Sequence, residues 1–200
     1  MIIHEAVEQG SPEWHLLRAG KVTASEFDTV QAQGRDGPSK TRQTYLYKLV
    51  GQIITGQVED SYTNVHMERG KVMEDEARAW YEIVHNPVRQ VGFIEEGRTG
   101  YSPDGLVLEN GLLEIKTKLP HLLIPLILSP EFPAEHKAQC QGGLWVSQRE
   151  WIDLVCYWPG MPVVVRRAYR DEVYIADLRK AVSAFVEELD ELTSKLRGMM

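Results

Sequence analysis

Residues 102–117 read SPDGLVLENGLLEIKT and carry the strongest structural signal in the chain. Two apolar segments flank Asn110-Gly111, and this arrangement is typical of a tight β-hairpin. Alternation along the second strand places Glu114 and Lys116 on one face of the sheet. A carboxylate beside an ammonium group can hold a divalent cation and orient a water molecule next to a phosphate. The segment therefore predicts either part of a metal-dependent hydrolytic site or a hairpin whose Glu114 and Lys116 face solvent.

The register of this hairpin determines whether a second carboxylate joins Glu114. A two-residue turn at Asn110-Gly111 would pair Asp104 with Thr117. That pairing sends the Asp104 side chain to the face opposite Glu114. The two carboxylates can share a site only if the hairpin has a different register, or if a bulge forms beside Asp104, where a proline and a glycine flank it.

Upstream of the hairpin, residues 69–78 read RGKVMEDEAR and belong to a helix that we predict from Asn64 to about His85. Helical spacing places Glu74 on the apolar side of this helix, in line with Tyr81. A carboxylate that faces inward is costly unless it is paired or binds a metal ion. Glu74 is therefore predicted either to bind a metal ion or to form an ion pair with an arginine or lysine at the edge of the core.

A third group of candidates lies near the N-terminus, where Arg18 precedes Thr23 and Ser25. Residues 23–26 read TASE and fit a capping box that opens a helix. A guanidinium group beside hydroxyl groups at a helix start suits a phosphate. The alternative is a surface arginine next to an ordinary helix cap.

The remaining patterns predict an α/β fold with a mixed central β-sheet flanked by helices. The length predicts one domain over residues 1–200, which ends in a long amphipathic helix at about 171–198. The other predicted elements are helices that begin after Ser11 and Thr23, helices at about 39–54, 64–85 and 133–147, and strands at about 88–95, 105–109, 112–117, 151–158 and 162–169.

Composition excludes several classes of protein. The chain is 43% hydrophobic and 26% charged, which is ordinary for a soluble globular protein. Its two cysteines, Cys140 and Cys156, are too few for a disulfide framework or a four-cysteine metal site, and a reducing cytoplasm is the expected location. The six histidines lack zinc-ligand spacing, no glycine-rich phosphate loop precedes a helix, and no Gly-x-Ser-x-Gly motif is present.

Charge and hydropathy leave two questions open. The net charge is −7, from 29 acidic and 22 basic residues. An acidic total by itself argues against nucleic-acid binding, but a cluster of metal-binding carboxylates would also add to it. The apolar segment 119–133 is interrupted by prolines, so we expect no membrane span. This segment predicts either a buried loop or a surface for another subunit or a partner.

Five segments, taken in order, resemble the phage lambda exonuclease family of viral recombination nucleases. They are residues 18–25 (RAGKVTAS), 69–78, 102–105 (SPDG), 114–116 (EIK) and 138–146 (AQCQGGLWV). The resemblance spans residues 10 to 160 and implies the restriction-endonuclease-like core of PD-(D/E)xK nucleases. Members of this family degrade linear double-stranded DNA from 5′ ends with magnesium, release 5′-mononucleotides and leave a 3′ single strand. The chain departs from the lambda pattern between residues 119 and 133.

The resemblance also implies a role for individual residues and a set of partners. Glu74, Asp104, Glu114 and the carbonyl group of Ile115 would bind two Mg²⁺ ions, for which Mn²⁺ could substitute. Lys116 would position or activate the attacking water. Gln141, or alternatively Gln139, would help order the site. The pocket for the terminal 5′-phosphate would consist of Arg18, Ser25 and Ser102. The implied partners are linear double-stranded DNA, a single-strand annealing recombinase and two further copies in a homotrimeric ring, in the cytoplasm of a bacterial host of the phage or prophage.

Two other functions remain open at this point. The first is a structure-specific DNA endonuclease on the same core. The second is a catalytically silent DNA-binding or scaffold protein. The intact Glu74, Asp104, Glu114 and Lys116 argue against it.

Overall fold

A computed structural model describes residues 1–35, 37–58 and 65–200. The helices are α1 (Pro12–Arg18), α2 (Phe27–Gln31), α3 (Lys40–Thr55), α4 (Val65–Val84), α5 (Pro120–Leu128), α6 (Lys137–Ser147) and α7 (Glu172–Arg197). The strands are β1 (Ile2–His4), β2 (Val22–Thr23), β3 (Gln33–Gly34), β4 (Gly37–Pro38), β5 (Val88–Arg89), β6 (Phe93–Glu96), β7 (Thr99–Tyr101), β8 (Gly105–Val107), β9 (Gly111–Thr117), β10 (Trp151–Tyr157) and β11 (Val164–Tyr169).

The strands form two mixed sheets and one short ribbon. The larger sheet has the order β11-β10-β9-β8-β5, in which only β9 and β10 run parallel, and the smaller has the order β1-β6-β7-β2. The mixed α/β class is therefore confirmed, although the expected single central sheet is divided. The break falls between β7 and β8 at Pro103, which has no amide hydrogen to continue a ladder. Helix α6 packs against strands of both sheets and joins them.

The long C-terminal helix is present as predicted. The Asp171 side chain accepts a hydrogen bond from the Tyr174 amide and caps α7. Leu178 and Phe185, on the apolar face of α7, are fully buried, and α7 packs against α2, α3 and α6. Helix α3 likewise has the predicted Ser39 cap and ends at Gly56 in the left-handed conformation, with φ of 66°.

The hairpin that carries the carboxylates has a different register from the predicted one. Its turn contains three residues, 108–110, and Gly105 pairs with Leu113. The predicted two-residue turn at Asn110-Gly111 is therefore wrong. The shift of three residues reverses the face on which Asp104 lies and brings it opposite Glu114.

Several other predicted elements differ in detail. The capping box at residues 23–26 does not form, since a 3-10 turn precedes α2 and the Thr23 side chain makes no capping bond. The predicted strand 88–95 is divided into β5 and β6. The segment 119–133 is not a buried loop: it contains α5, on which Leu122 and Leu128 are exposed. The predicted helix start at Asn64 lies outside the described residues. Every helix that the structure describes is too short or too polar to cross a membrane.

Candidate active site

Asp104 and Glu114 are held side by side on neighbouring strands. The Asp104 amide donates to the Leu113 carbonyl group over 3.1 Å, although Leu113 is paired with Gly105 in the β8–β9 ladder. The Asp104 carboxylate in turn accepts a hydrogen bond of 2.5 Å from the Ile115 amide. Because both bonds belong to one short hairpin, they fix Asp104 relative to β9. Asp104 and Glu114 can therefore share one site, as the sequence analysis required of the hairpin register.

Glu114 is the most enclosed carboxylate of the cluster, with 2% of its surface exposed. Its Oε2 accepts a hydrogen bond of 2.6 Å from the Tyr101 hydroxyl group. Its Oε1 accepts from the Gln139 side-chain amide at 2.5 Å and lies 2.9 Å from Lys116 Nζ. A buried carboxylate with three such partners has one orientation, as a reactive site requires.

Lys116 points into the same cluster and is firmly cationic. Burial by itself lowers the pKa of its ammonium group, but the charge of Glu114 and the hydrogen bond to it outweigh burial, and Asp104 adds to them. The net result is a pKa above the ordinary value. Lys116 can therefore donate hydrogen bonds or stabilise negative charge, whereas it is a poor proton acceptor.

Glu74 meets the cluster from α4, where it forms the ion pair that was one of its two predicted states. The Arg78 guanidinium donates to Glu74 at 2.5 Å, to Asp75 at 2.7 Å and to the Asp104 carbonyl group at 3.1 Å. Burial raises the pKa of Glu74 despite the opposing charge of Arg78, and the carboxylates of Asp75 and Glu114 raise it further. Arg78 thus joins α4 to the Asp104 segment.

The acidic cluster has the electrostatics of an open cation site. Burial raises the pKa of Asp104 well above its ordinary value, and the charges of Glu114 and Glu74 add to this effect. Across residues 1–35, 37–58 and 65–200, no group of three His, Cys, Asp or Glu side chains is arranged to enclose a metal ion. Magnesium is commonly held by one or two carboxylates together with water and substrate phosphates. Asp104, Glu114 and the Ile115 carbonyl group fit that kind of site, and Glu74, whose Oε1 accepts from Arg78, is the third carboxylate beside it.

A cavity of about 180 Å³ connects these carboxylates with the predicted phosphate pocket. Its lining includes Asp104, Glu114, Arg18, Ser25 and Ser102. Arg18 donates to the Ser102 hydroxyl group over 2.9 Å, and burial lowers the pKa of its guanidinium group to about 10, which leaves it charged at neutral pH.

Trp14 contacts both Arg18 and Ser102 in this pocket. Its indole ring lies 4.1 Å from the Arg18 guanidinium group. Its N–H group donates to the Ser102 hydroxyl group over 3.0 Å. Such stacking favours a fixed arginine conformation. The structure therefore brings all three predicted phosphate-binding residues to the cleft that holds the carboxylates.

Gln141 does not reach the site, contrary to its predicted role. Its side chain donates to the Tyr169 carbonyl group and accepts from the Asp171 amide, at 2.8 and 2.9 Å. Residues two apart on a helix point to nearly opposite sides, so only one of the two glutamines can face Glu114. That residue is Gln139, the alternative considered above.

Three contributing residues had no role in the sequence analysis. Tyr101 directly precedes the SPDG segment, and nothing in its local sequence predicts that its hydroxyl group meets Glu114. Arg78 lies four residues after Glu74, a spacing at which opposite charges pair on a helix, so its contact could have been anticipated. Trp14 was recognised only as part of α1.

Comparison with known proteins places the chain in a family. The chain matches the YqaJ-like viral recombinase domain over residues 13–150. It is similar to the alkaline exonuclease LHK-Exo from Laribacter hongkongensis, with 34% identity, a TM-score of 0.86 and coverage of 94% of this chain and 97% of that chain. The structure of LHK-Exo in complex with dAMP gives the same values.

A more distant likeness supports the fold. The phage-related exonuclease from Haemophilus somnus 129PT is 15% identical, with a TM-score of 0.67 and coverage of 88% of this chain and 96% of that chain. No significant match is found among curated proteins. The domain match and the LHK-Exo likeness confirm the resemblance that the motifs predicted: this chain belongs to the YqaJ-like viral recombinase family.

Proposed function

We propose that this protein is a magnesium-dependent 5′-to-3′ exonuclease that acts on linear double-stranded DNA and releases 5′-mononucleotides. One observation carries the proposal: a single cleft contains both the Arg18–Ser102 pair and the carboxylates of Asp104 and Glu114, and Lys116 lies 2.9 Å from Glu114. A phosphate anchor beside a hydrolytic centre favours cleavage at a set distance from a DNA end. The complex of LHK-Exo with dAMP, a deoxynucleoside monophosphate, agrees with a product of this kind.

In the proposed reaction, the 5′-phosphate of one strand binds Arg18 and the hydroxyl groups of Ser25 and Ser102. A buried guanidinium group suits this task because its hydrogen bonds to a phosphate are charge-assisted and shielded from water. The anchored end places the first phosphodiester bond over the carboxylates. Removal of one nucleotide creates a new 5′-phosphate, which can occupy the same pocket.

The groups around the scissile phosphate have separate tasks in this proposal. Asp104, Glu114, the Ile115 carbonyl group and Glu74 would hold two Mg²⁺ ions, or Mn²⁺ in their place. These ions would stabilise the attacking and leaving oxygens. Lys116 donates a hydrogen bond that orients the attacking water. Tyr101 and Gln139 hold Glu114 in place, as their short hydrogen bonds to it indicate.

The proposal is tested by the choice of DNA end. Linear duplexes with 5′-phosphate or 5′-hydroxyl ends are incubated with the protein and Mg²⁺, beside a covalently closed circle. We expect preferential digestion of the phosphorylated linear duplex to mononucleotides, and loss of digestion in EDTA. Nicking of the circle would instead support an endonuclease on the same core. Binding without cleavage of any substrate would support a scaffold.

Replacing Arg18 with alanine is expected to reduce digestion of 5′-phosphorylated ends by tenfold or more, because a charge-assisted hydrogen bond is worth about 1.5–3 kcal/mol. Digestion of 5′-hydroxyl ends should change less, since those ends present no phosphate to the pocket. Initial rates on the two duplexes measure the difference, with Arg42→Ala as a control for the loss of a guanidinium group elsewhere. Equal losses on both ends would refute the assigned phosphate pocket.

The setting of this activity is also a proposal. The family match supports a role in phage recombination in the cytoplasm of the bacterial host, with a single-strand annealing recombinase that takes over the 3′ strand. A homotrimeric ring would keep DNA enclosed despite the net charge of −7. The exposed leucines of α5 offer apolar surface for a subunit or partner contact. Light scattering should give three times the monomer mass, and a monomer mass at working concentrations would contradict the ring.

A further inference from the structure

The turn at residues 108–110, which joins β8 to β9, has an unfavourable backbone conformation. Leu108 has φ of 51°, in the left-handed region that suits glycine or asparagine, and 64% of its surface is exposed. The Asn110-Gly111 dipeptide a few residues further on could form a tight turn without this strain. The hairpin thus avoids the turn that its local sequence favours. A local preference that is overridden in this way calls for a contact from elsewhere in the chain.

Arg149 supplies such a contact from the connection between α6 and β10. Its Nη1 atom lies 2.7 Å from the Gly111 carbonyl oxygen, 3.3 Å from that of Leu108 and 3.5 Å from that of Val107. One guanidinium group therefore spans both ends of the three-residue turn. In the two-residue turn, Val107 and Leu108 would pair within the strands, and their carbonyl groups would not converge in this way.

Two further contacts shape the same turn. The Asn110 carbonyl group accepts hydrogen bonds from the amides of Glu150 and Trp151, at 2.9 and 3.3 Å. A side chain at Gly111 would meet the Trp151 ring, since its Cβ would lie 2.2 Å from the nearest ring atom. The segment 149–151 therefore holds the turn on several sides, and Arg149 makes the only side-chain hydrogen bonds to it among the described residues.

The register set by this turn determines where Asp104 lies relative to the other residues of the candidate active site. In the observed register Gly105 pairs with Leu113, so Asp104 and Glu114 are the adjoining residues of the two strands, and the Asp104 carboxylate accepts from the Ile115 amide. The two-residue turn would displace Asp104 along β9 by three residues, about 10 Å, and place it on the other face. We propose that Arg149 is a positioning residue for the nuclease reaction, which acts through the turn to hold Asp104 opposite Glu114. The expected effect on kcat rests on the proposed function, whereas the effect on the position of Asp104 does not.

The inference is tested with Arg149→Ala, alone and combined with Leu108→Gly. Arg149→Ala should lower kcat by roughly tenfold to a hundredfold, as small misplacements of reactive groups do, while KM for DNA changes little. Hydrogen exchange of the Ile115 amide should become about tenfold faster, because the Asp104 carboxylate no longer protects it. Glycine adopts positive φ without strain, so the double variant should recover both kcat and Ile115 protection.

Controls separate positioning from general stability. Arg42 bonds Glu188 at 2.7 Å and joins α3 to α7, so Arg42→Ala should lower the melting temperature without changing kcat or Ile115 exchange. If Arg149→Ala does not fold, Arg149→Lys provides the test. The lysine side chain is one bond shorter than that of arginine, so its ammonium group falls short of the Nη1 position and should give a smaller loss in the same two measurements. Unchanged kcat and Ile115 exchange, or a loss that Leu108→Gly does not reverse, would overturn the inference.

The two readouts also distinguish this inference from the proposed function. If the wild-type protein cleaves no DNA, the exchange of the Ile115 amide still reports whether Arg149 holds the register. If the protein cleaves DNA and Ile115 exchange is the same in Arg149→Ala, the function stands and the positioning role is refuted.

Discussion

Replacing Lys116 with alanine is expected to reduce DNA cleavage by about 10³-fold, while the affinity for DNA changes little. The ammonium group lies 2.9 Å from Glu114 and is held in the cationic form by the adjacent carboxylates. Its removal takes away the group that orients the attacking water in the proposed reaction. The phosphate pocket at Arg18 is left intact, so a DNA end can still bind.

The measurement combines single-turnover cleavage with a binding assay in Ca²⁺ or EDTA. Lys137→Ala is the matched control, because it removes the same charge from a lysine of α6 that pairs with Asp171. The control should cleave normally. An active Lys116→Ala protein would remove the role assigned to Lys116, and a parallel loss of binding would indicate a phosphate contact instead.

Replacing Asp104 with asparagine is expected to stabilise the protein while it abolishes cleavage. The pKa of Asp104 is raised chiefly by burial and further by the charges of Glu114 and Glu74, so its negative charge is unfavourable in the absence of a cation. A neutral side chain of the same shape removes this repulsion and can still accept from the Ile115 amide. The melting temperature in EDTA should therefore rise by a few degrees. Cleavage should fall by about 10³-fold, or about 4 kcal/mol, because a metal ligand is lost.

The effect of magnesium gives this prediction a second readout. Mg²⁺ should raise the melting temperature of the wild-type protein, because an ion that binds only the folded state stabilises it. The same addition should have a much smaller effect on Asp104→Asn. A variant that keeps both its magnesium response and its cleavage would show that Asp104 does not hold the ion.

Asp153 offers a control variant whose melting temperature should change in the opposite direction. It is buried, but Arg167 pairs with it at 2.7 and 2.8 Å and Tyr81 donates to it at 2.5 Å. Asp153→Asn should lower the melting temperature, because it leaves a guanidinium group without its partner. Cleavage should be reduced far less than in Asp104→Asn. Stabilisation by both substitutions would contradict the electrostatic explanation.

The helices that the sequence predicted well are those with caps and apolar patterns formed by residues close together in the chain. Helix α3 begins at a serine that bonds an amide three residues later and ends at a glycine with positive φ. Helix α7 combines an aspartate cap with a regular apolar stripe. The family needed more than a local signal: five short motifs, taken in order between residues 18 and 146, predicted it, and the comparisons confirmed it.

The identity of the site's neighbours was less predictable. Tyr101 meets Glu114 across 13 positions of sequence, and Gln139 meets it across 25. Which glutamine faces the carboxylate depends on how α6 is rotated against the sheets, and both glutamines lie in the same motif. Arg78 is a partial exception, because its pairing with Glu74 is local, whereas its bond to the Asp104 carbonyl group is not.

The sequence alone was sufficient for the caps of the long helices, which depend on residues close together in the chain. It was also sufficient for the family and its acidic residues, which depend on the order of five short motifs between residues 18 and 146. The register of β8 against β9 depended instead on contacts with residues far away in the chain. Asn110-Gly111 favours one turn, but contacts from Arg149, 38 positions beyond Gly111, accompany another. Since a shift by an odd number of residues reverses the face of every side chain, this distant contact bears on whether Asp104 and Glu114 form one site.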